Sequence, residues 1–475
     1  MIMNVNTTDA DLPVVVIGAG PIGLAAAAHL LERGQEPLVL EAGDDVGAAI
    51  GSWGQVRLFS PWQYDIDEAA RRLLIKSGWT EPRATALPTG SELIEQYLRP
   101  LAATDALSSR IRTGTRVVGV SRHGIDKTTT IDRENRPLLV RIIANGESSD
   151  ITARAVIDAS GTWGHPNPLG AAGLPAPGET DAARYQAGPL PDVLGRDRQR
   201  FAGRHTLVVG MGHSAANTLL ALVDLADQEP LTRITWAIRR GTAARLYGGG
   251  DADGLPARGA IGRRLREAVE DGKVNLVRNT AITRLTPGIG DSASVEVQAE
   301  TRAGQVTWRV DQIVNATGFR PDLDILREVR LELDPGTEAP TRLAPMIDPN
   351  FHSCGTVPAH GEQVLSHPEP GFYIVGAKSY GRAPTFLLAT GYEQVRSIAA
   401  ALAGDRTAAD RVELSLPETG VCSSNPPTGD GDIDGTATAG DCCGPAPSEP
   451  VIIGIPTGLQ HGLAGEPADI NESSP

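Results

Sequence analysis

The stretch "PVVVIGAGPIGLAAAAHLL", residues 13–31, decides the fold of this chain. An apolar run that suits a buried strand leads into a glycine-rich turn, and a second apolar run of helical length follows. Gly18, Gly20 and Gly23 have the spacing G-x-G-x-x-G. In such a turn the first glycine permits the tight bend, the second lets a pyrophosphate approach the backbone, and the third lets helix and strand pack closely. The stretch therefore predicts a strand–turn–helix unit that binds a dinucleotide.

Two further residues support this unit. Pro21, within the glycine-rich turn, is predicted as an FAD contact. Glu41 ends the next predicted strand, "EPLVLEAG", 23 residues after Gly18. A carboxylate at that strand end accepts hydrogen bonds from ribose hydroxyls. An FAD site is therefore expected at the first unit.

The stretch "RHTLVVGMGHSAANTLL", residues 204–220, repeats the pattern in the middle of the chain. Gly210, Gly212 and Ala215 give G-x-G-x-x-A, a variant that relaxes the closest helix–strand contact. His213 and Ser214 open the predicted helix, where they are expected to contact a pyrophosphate. For His213, packing at the helix start is the alternative.

The strand predicted after this second unit, "RITWAIRRG", ends in Arg239 and Arg240 where the first unit has an acid. Two guanidinium groups suit a 2′-phosphate, so NADPH is predicted rather than NADH. Two alternatives stay open: a solvated arginine pair on a surface loop, and a second unit that binds nothing.

Together the two units predict an α/β protein with two Rossmann-like, three-layer dinucleotide-binding domains, the NADPH domain being inserted in the FAD domain. Residues 164–203 are rich in proline and glycine and are interpreted as a linker. The tail is rich in glycine, proline, serine and acidic residues and is expected to be disordered. The predicted boundaries are 1–165 and 316–405 for the FAD domain, 166–315 for the NADPH domain and 406–475 for the tail.

Further site residues are predicted from their places at strand ends and in the aromatic stretch "GSWGQVRLFSPWQYD". A helix starting near Pro384 or Thr385 should point its N-terminus at the flavin. The aromatic stretch is predicted to form one wall of the flavin and substrate pocket, with Trp62 and Tyr64 as the candidate substrate contacts. Ordinary packing under a long loop is the alternative. No catalytic residue and no metal site is predicted. The additional FAD contacts are Trp53, Arg57, Val117, Ser160, Gly161, Gly376 and Thr385, and Gly318 is an additional NADPH contact.

Charge and composition narrow the choice of partners. The chain has 43 basic and 58 acidic residues, a net charge of −15, which argues against nucleic acid or an anionic membrane as a partner. Neither a signal-peptide pattern nor a membrane-spanning stretch is recognised, and four cysteines imply no disulfide framework. A cytoplasmic enzyme with a small-molecule substrate is expected, and a homodimer stays open.

The order of these motifs resembles that of the class B flavin-dependent monooxygenases over about residues 12–403. The resemblance rests on "VVVIGAGPIG", "DASGTWGHPNP", "FAGRHTLVVGMGHSA" and "NATGF". Through "WGQVRLFSPW" and "KSYGRAPTFLLATGYEQ" the chain is similar to flavin monooxygenases of arsenic-resistance operons. The resemblance implies that NADPH reduces FAD, that O2 forms a C4a-peroxyflavin, and that a soft nucleophile such as a trivalent organoarsenical is oxygenated. The Baeyer–Villiger fingerprint F-x-G-x-x-x-H-x-x-x-W is absent from this sequence.

Two other functions stay open. A thiol–disulfide or metal(loid) reductase shares both dinucleotide units but needs a cysteine pair near the flavin, and the body of this chain has only Cys354. The tail holds Cys422 and the adjacent Cys442 and Cys443, which together suit soft ions such as trivalent arsenic. Cys442 and Cys443 are therefore predicted to contact the substrate, with cysteines of no function as the alternative. The third function is a redox-sensing flavoprotein.

Overall fold

The structure is a computed structural model that describes residues 12–247, 256–288, 294–349, 357–383 and 386–414. Within them the predicted α/β fold with two Rossmann-like units is confirmed: two parallel sheets each carry helices on one face and an antiparallel three-stranded sheet on the other. Among these residues no helix is both long and apolar enough to cross a membrane.

The strands alternate with helices along the chain, as a parallel sheet requires. In chain order the strands are β1 Val14–Ile17, β2 Pro37–Leu40, β3 Ile111–Arg112, β4 Thr115–Arg122, β5 Leu138–Ala144, β6 Glu147–Ala153, β7 Ala155–Asp158, β8 Gln186–Ala187, β9 His205–Val209, β10 Arg233–Ala237, β11 Asn275–Val277, β12 Ala281–Pro287, β13 Val295–Thr301, β14 Gly304–Val310, β15 Gln312–Asn315 and β16 Phe372–Ile374.

The longer helices belong to the two dinucleotide units and the shorter ones to connections. In chain order the helices are α1 Pro21–Glu32, α2 Ala48–Gly51, α3 Trp62–Asp65, α4 Glu68–Lys76, α5 Gly90–Leu93, α6 Arg99–Ala102, α7 Arg198–Phe201, α8 His213–Ala226, α9 Ala244–Tyr247, α10 Pro256–Glu270, α11 Ala344–Ile347, α12 Glu362–Leu365, α13 Leu388–Leu402 and α14 Arg406–Asp410. A π-helical turn, Ile94–Leu98, joins α5 to α6.

The first sheet has the order β16-β7-β1-β2-β3, and all its strands are parallel. Because successive side chains of a strand point to opposite faces, β1 contributes to two cores. Val14 and Val16 pack with α1 and α13, whereas Val15 and Ile17 pack with the antiparallel sheet β4-β5-β6. Burial on both faces explains why β1 is apolar at every position.

The second sheet has the order β11-β10-β9-β15-β8 and is also parallel. Val208 of β9 packs with α8, and its neighbours Leu207 and Val209 pack with the antiparallel sheet β12-β13-β14. All strands of this unit occur in the chain between β7 and β16, so it is inserted in the first unit. The numerical domain boundaries remain predictions.

Two local expectations are wrong. Residues 164–203 are more than a linker, because they supply edge strand β8 and the buried ring of Phe201. The helix expected near residue 384 begins at Leu388. Phe386 precedes the N-cap Leu387, and its ring packs against Gly391. A Cβ built on Gly391 would lie 2.6 Å from the Phe386 ring. The chain enters the helix in an extended conformation, with φ −108° and ψ 139° at Leu387, which suits a contact across the helix start.

Candidate dinucleotide sites

The first glycine-rich turn joins β1 to α1 and shows why each glycine is needed. Gly18 has φ +99°, and a Cβ there would lie 2.9 Å from the carbonyl oxygen of Ala159. A Cβ on Gly23 would overlap the carbonyl oxygen of Gly18. At Gly20 a Cβ would meet nothing within 4 Å. Two glycines thus serve internal packing, and the third leaves open space over the start of α1, which fits a pyrophosphate.

The N-terminus of α1 is suited to an anion. Gly20 is its N-cap, no side chain caps the helix, and the first turn carries no acidic residue. The N–H groups of a first turn lack helical partners and carry partial positive charge. A phosphate placed over Gly20 would satisfy them.

Glu41 follows directly after β2 and is held by the same turn. Its Oε2 accepts a hydrogen bond of 2.7 Å from the Ala19 N–H, and its Oε1 accepts one of 2.8 Å from the Gly43 N–H. Each carboxylate oxygen has a second lone pair. The carboxylate is therefore fixed beside the turn and still able to accept ribose hydroxyls.

The second turn, between β9 and α8, reproduces this arrangement. Gly210 has φ +134°, and a Cβ there would overlap the carbonyl oxygen of Ala316, whereas Gly212 faces open space. Gly212 is the N-cap of α8, again without a capping side chain. His213 and Ser214 are half-buried in the first turn, and Ala215 is buried where the first unit has its third glycine.

Arg239 and Arg240 lie two and three residues beyond the end of β10, rather than in the strand itself. Both are exposed. The Arg239 guanidinium donates a hydrogen bond of 3.1 Å to the carbonyl oxygen of Ala171. Since β10 is next to β9 in the sheet, the pair stands at the same edge as the glycine-rich turn.

The carboxyl ends of β7 and β16 lie at the same edge of the first sheet as the first glycine-rich turn. Lys378, just after β16, donates 2.6 Å to Asp158 at the end of β7 and 3.2 Å to the Ser160 hydroxyl. The Lys378 and Asp158 side chains are both 0 % exposed. Partners on both oxygens of Asp158 compensate its burial, since Ser160 also donates to it. This pair fixes the loop that carries Ser160 and Gly161 to the loop that carries Gly376.

Gly376 is held in turn by a buried network from α13. Its N–H donates 2.8 Å to the Gln394 side-chain oxygen, and the Gln394 amide nitrogen donates 3.0 Å to Ser379 and lies 2.8 Å from His360 Nε2. Burial lowers the pKa of His360. A neutral ring fits this network, because Nδ1 then donates to the Pro358 carbonyl and Nε2 accepts from Gln394.

The aromatic stretch predicted as a pocket wall lies against the second unit. The Phe59 ring lies 5.1 Å, centre to centre, from the His213 ring at the start of α8. Trp53 lies 6.3 Å from Trp163, whose ring lies 5.0 Å from that of Phe319. The stretch therefore borders the space between the two units.

The other predicted residues of this stretch differ in exposure. Trp62 is only 3 % exposed and packs in the core with α1, whereas Tyr64 is half-buried. Arg57 donates to the Leu87 carbonyl oxygen and lies 3.6 Å from Glu92. These contacts orient Arg57 toward residues 87–92.

Of the remaining predicted site residues, some lie within the described parts of the chain and others lie outside them. Val117 is buried in β4, and Gly318, with φ +89°, follows β15 at the edge that carries the second turn. Thr385, Cys442 and Cys443, together with Cys354 and Cys422, lie outside the described residues. The sequence pattern does not single out Asp65, Asp158 or Gln394, because the contacts from Tyr392 to Asp65, from Lys378 to Asp158 and from Gln394 to His360 join residues far apart in the sequence.

Comparison with known proteins agrees with this architecture. Residues 15–344 match the model of the pyridine nucleotide-disulphide oxidoreductase family. A ferredoxin–NADP reductase of Paraburkholderia phymatum is 27 % identical over 332 residues, 69 % of this chain and 75 % of that protein.

Two solved structures share the fold. The bacillithiol disulfide reductase Bdr from Bacillus cereus has a TM-score of 0.60 at 19 % identity, over 83 % of this chain and 99 % of that one. The FAD-bound cadaverine monooxygenase DfoA from Erwinia amylovora has a TM-score of 0.57 at 15 % identity, over 87 % and 99 %. The match to the family model extends over both glycine-rich turns. The chain therefore belongs to the pyridine nucleotide-disulphide oxidoreductase family and is an FAD-dependent oxidoreductase that uses NADPH.

Proposed function

We propose that this protein is an NADPH-dependent monooxygenase that forms a C4a-peroxyflavin and oxygenates a small soft nucleophile, with trivalent organoarsenicals as the first candidates and sulfur and nitrogen compounds next. The observation that carries the proposal is the combination of two intact dinucleotide turns with the cysteine distribution. The first 414 residues contain one cysteine, Cys354. Electron transfer from a flavin to a disulfide needs two thiols near the flavin. The first 414 residues therefore provide no disulfide that could accept electrons from NADPH through the flavin.

The chain's own residues bind and orient the two cofactors in this proposal. Helix α1 and Glu41 bind FAD, and helix α8 with Arg239 and Arg240 binds NADPH and its 2′-phosphate. Bound FAD supplies the two-electron and oxygen chemistry. The aromatic stretch that includes Phe59 limits access of water to the space between the units. The FAD-bound monooxygenase among the structural neighbours supports this use of the fold.

A reductase that uses the tail cysteines is the second candidate, favoured by the adjacency of Cys442 and Cys443 and by the disulfide reductase among the neighbours. Rapid mixing of the NADPH-reduced protein with O2 separates the two. The monooxygenase predicts an oxygenated flavin spectrum that persists before oxidised flavin returns. Direct return to oxidised flavin, together with fast electron transfer to a disulfide or a metal ion, would instead establish the reductase. Slow NADPH oxidation with every acceptor would favour the redox sensor.

The tail has a proposed role in the monooxygenase as well. Cys442 and Cys443 capture the trivalent arsenical and deliver it to the flavin. The described chain reaches Leu414 beside α13, where the Glu413 N–H donates 3.2 Å to Glu393. Cys442 lies 28 residues further on, a span of at most about 100 Å. That span exceeds the length of α13, which is about 22 Å.

Replacing Cys442 and Cys443 together by serine should raise KM for methylarsenite about tenfold or more, because two thiolates bind As(III) jointly. The value of kcat, and KM for a thioether substrate that does not bind thiols, should stay unchanged. Cys422→Ser is the matched tail control. An unchanged KM for methylarsenite in the double variant would contradict the delivery role.

A further inference from the structure

Asp65, at the end of α3, is a buried carboxyl group with an incomplete set of partners. Its side chain is 0 % exposed, its Oδ1 accepts a 2.7 Å hydrogen bond from the Ser60 hydroxyl, and its Oδ2 has no hydrogen-bond partner. Burial raises the pKa of Asp65 to about 7, and the Ser60 hydrogen bond acts in the opposite direction. The group can therefore hold or release a proton near neutral pH.

The neighbouring acid Asp67 shows what a structural carboxylate looks like here. Its Oδ1 accepts from the Ala70 N–H at 2.9 Å, and its Oδ2 lies 2.9 Å from His29 Nε2. Both oxygens of Asp67 have partners. Among the buried acids of the described residues, Asp65 alone keeps a buried oxygen without one. A structural role leaves that oxygen unexplained, because an unpartnered buried polar atom costs stability.

The position of Asp65 connects it to the proposed reaction space. Ser60 is half-buried and adjacent to Phe59, whose ring meets His213 at the start of α8. On the other side, the Tyr392 hydroxyl of α13 donates 2.7 Å to the Asp65 carbonyl oxygen. Asp65 is therefore hydrogen-bonded both to α13 and to Ser60 of the aromatic stretch that borders the space between the units.

The titratable groups packed around Asp65 are Asp67, His29, Tyr97 and Tyr392. Burial raises the pKa of both tyrosines well above neutral, so neither titrates in the range of Asp65. Asp67 and His29 face each other. Comparison of wild type with Asp65→Asn identifies the contribution of the Asp65 carboxyl group.

We propose that Asp65 stores the proton consumed in each turnover and passes it to the reaction space through the Ser60 hydroxyl. The inference rests on the proposed monooxygenase function, whose balance is NADPH + H⁺ + O2 + substrate giving NADP⁺ + oxygenated substrate + water. Rotation of the carboxyl group about Cβ–Cγ brings its proton to Ser60 Oγ, while the Ser60 hydroxyl proton leaves toward the departing water. Asp65 becomes a carboxylate and regains a proton from solvent before the next turnover. Asp65 thus acts through Ser60 and touches no substrate.

The test compares Asp65→Asn with Glu68→Gln, an exposed acid three residues away that pairs with Arg71. In wild type and Glu68→Gln, methylarsenite turnover should fall with a one-proton dependence as pH rises above about 7. Asp65→Asn should lower turnover about 100-fold below pH 7 and abolish this dependence. FAD content and the anaerobic rate of flavin reduction by NADPH should not change.

Infrared titration of the oxidised, FAD-loaded protein without NADPH gives a readout independent of activity. A protonated-carboxyl band should disappear between pH 6 and 8 in wild type and be missing from Asp65→Asn. Ser60→Ala keeps the carboxyl group: its band should titrate at higher pH, because the hydrogen bond that lowers the pKa of Asp65 is gone, and its turnover should fall.

Three outcomes overturn the inference. The first is that both Asp65→Asn and Ser60→Ala keep the turnover and the pH dependence of wild type and still form oxygenated product. Another is an infrared band that persists in Asp65→Asn. Absence of oxygenated product from the wild type itself contradicts the proposed function, and the proton-source role falls with it. The infrared result then still shows which group holds the proton, so the two failures are distinguishable.

Discussion

At the scale of single residues, three glycines with one spacing do two different things. Gly18 and Gly23 are required because their Cβ atoms would meet backbone, whereas a Cβ on Gly20 would meet nothing within 4 Å, which fits the proposed pyrophosphate. The sequence alone predicts these roles, since the spacing itself encodes them. Asp65 is the opposite case. The stretch "PWQYDID" contains two acids, and only the folded chain separates Asp67, which has two partners, from Asp65, which lacks one.

Gly20→Ala and Gly23→Ala should separate binding from folding. Gly20→Ala fills open space at an N-cap with φ −79°, so the apo protein should lose no more than about 1 kcal/mol while FAD affinity falls at least tenfold. Gly23→Ala collides with the Gly18 carbonyl and should destabilise the apo protein by about 2 kcal/mol or more. Urea unfolding of apo protein and FAD titration measure the two effects. Equal losses of stability would contradict the assignment.

Asp65 should also leave a signature in stability against pH. Its folded-state pKa of about 7 lies above the unfolded value near 3.8, so its protonation favours the folded state. This contribution is complete below about pH 4 and is lost as pH rises through 7, at most about 4 kcal/mol. The free energy of unfolding of Asp65→Asn relative to wild type should therefore increase from pH 5 to pH 8. A constant difference in urea unfolding would show that Asp65 does not titrate there.

At the scale of elements, both proposed cofactor sites lie at the carboxyl edges of parallel sheets. The apolar runs predict β1, β9 and the strands beside them, because burial on both faces leaves an unbroken apolar signal. Boundaries that depend on tertiary contacts are less predictable. Helix α13 begins at Leu388, with Phe386 packed against its first turns, and β8 in a proline-rich stretch pairs with the edge of β15.

Arg239 and Arg240, just beyond β10, should determine the choice of nicotinamide cofactor. Replacing both by alanine should raise Kd for NADPH about 10- to 100-fold, because charge-assisted hydrogen bonds to the 2′-phosphate are lost. Affinity for NADH should stay within about twofold. Arg233→Ala, an exposed arginine at the opposite end of the same strand, is the control. Equal losses for NADPH and NADH would place the 2′-phosphate elsewhere.

At the scale of the whole molecule, the two units are joined where the chain crosses between them twice. The two crossings are hydrogen-bonded to each other: the Asn167 N–H donates 2.9 Å to Gly318, and the Arg320 N–H donates 2.9 Å to His165. The sequence predicts two units and their nesting, since the second turn falls between the parts of the first. It does not predict this ribbon, whose partners are about 150 residues apart.

In the proposed monooxygenase reaction, one atom of O2 ends in the product. The most direct measurement is turnover of methylarsenite with NADPH under ¹⁸O2, followed by mass spectrometry of the product. We predict one ¹⁸O atom per molecule of oxidised arsenical, one NADPH consumed for each, and the same result in Cys442→Ser/Cys443→Ser at saturating substrate. Product without label, or NADPH consumption coupled instead to reduction of a disulfide or a metal ion, would contradict the monooxygenase function.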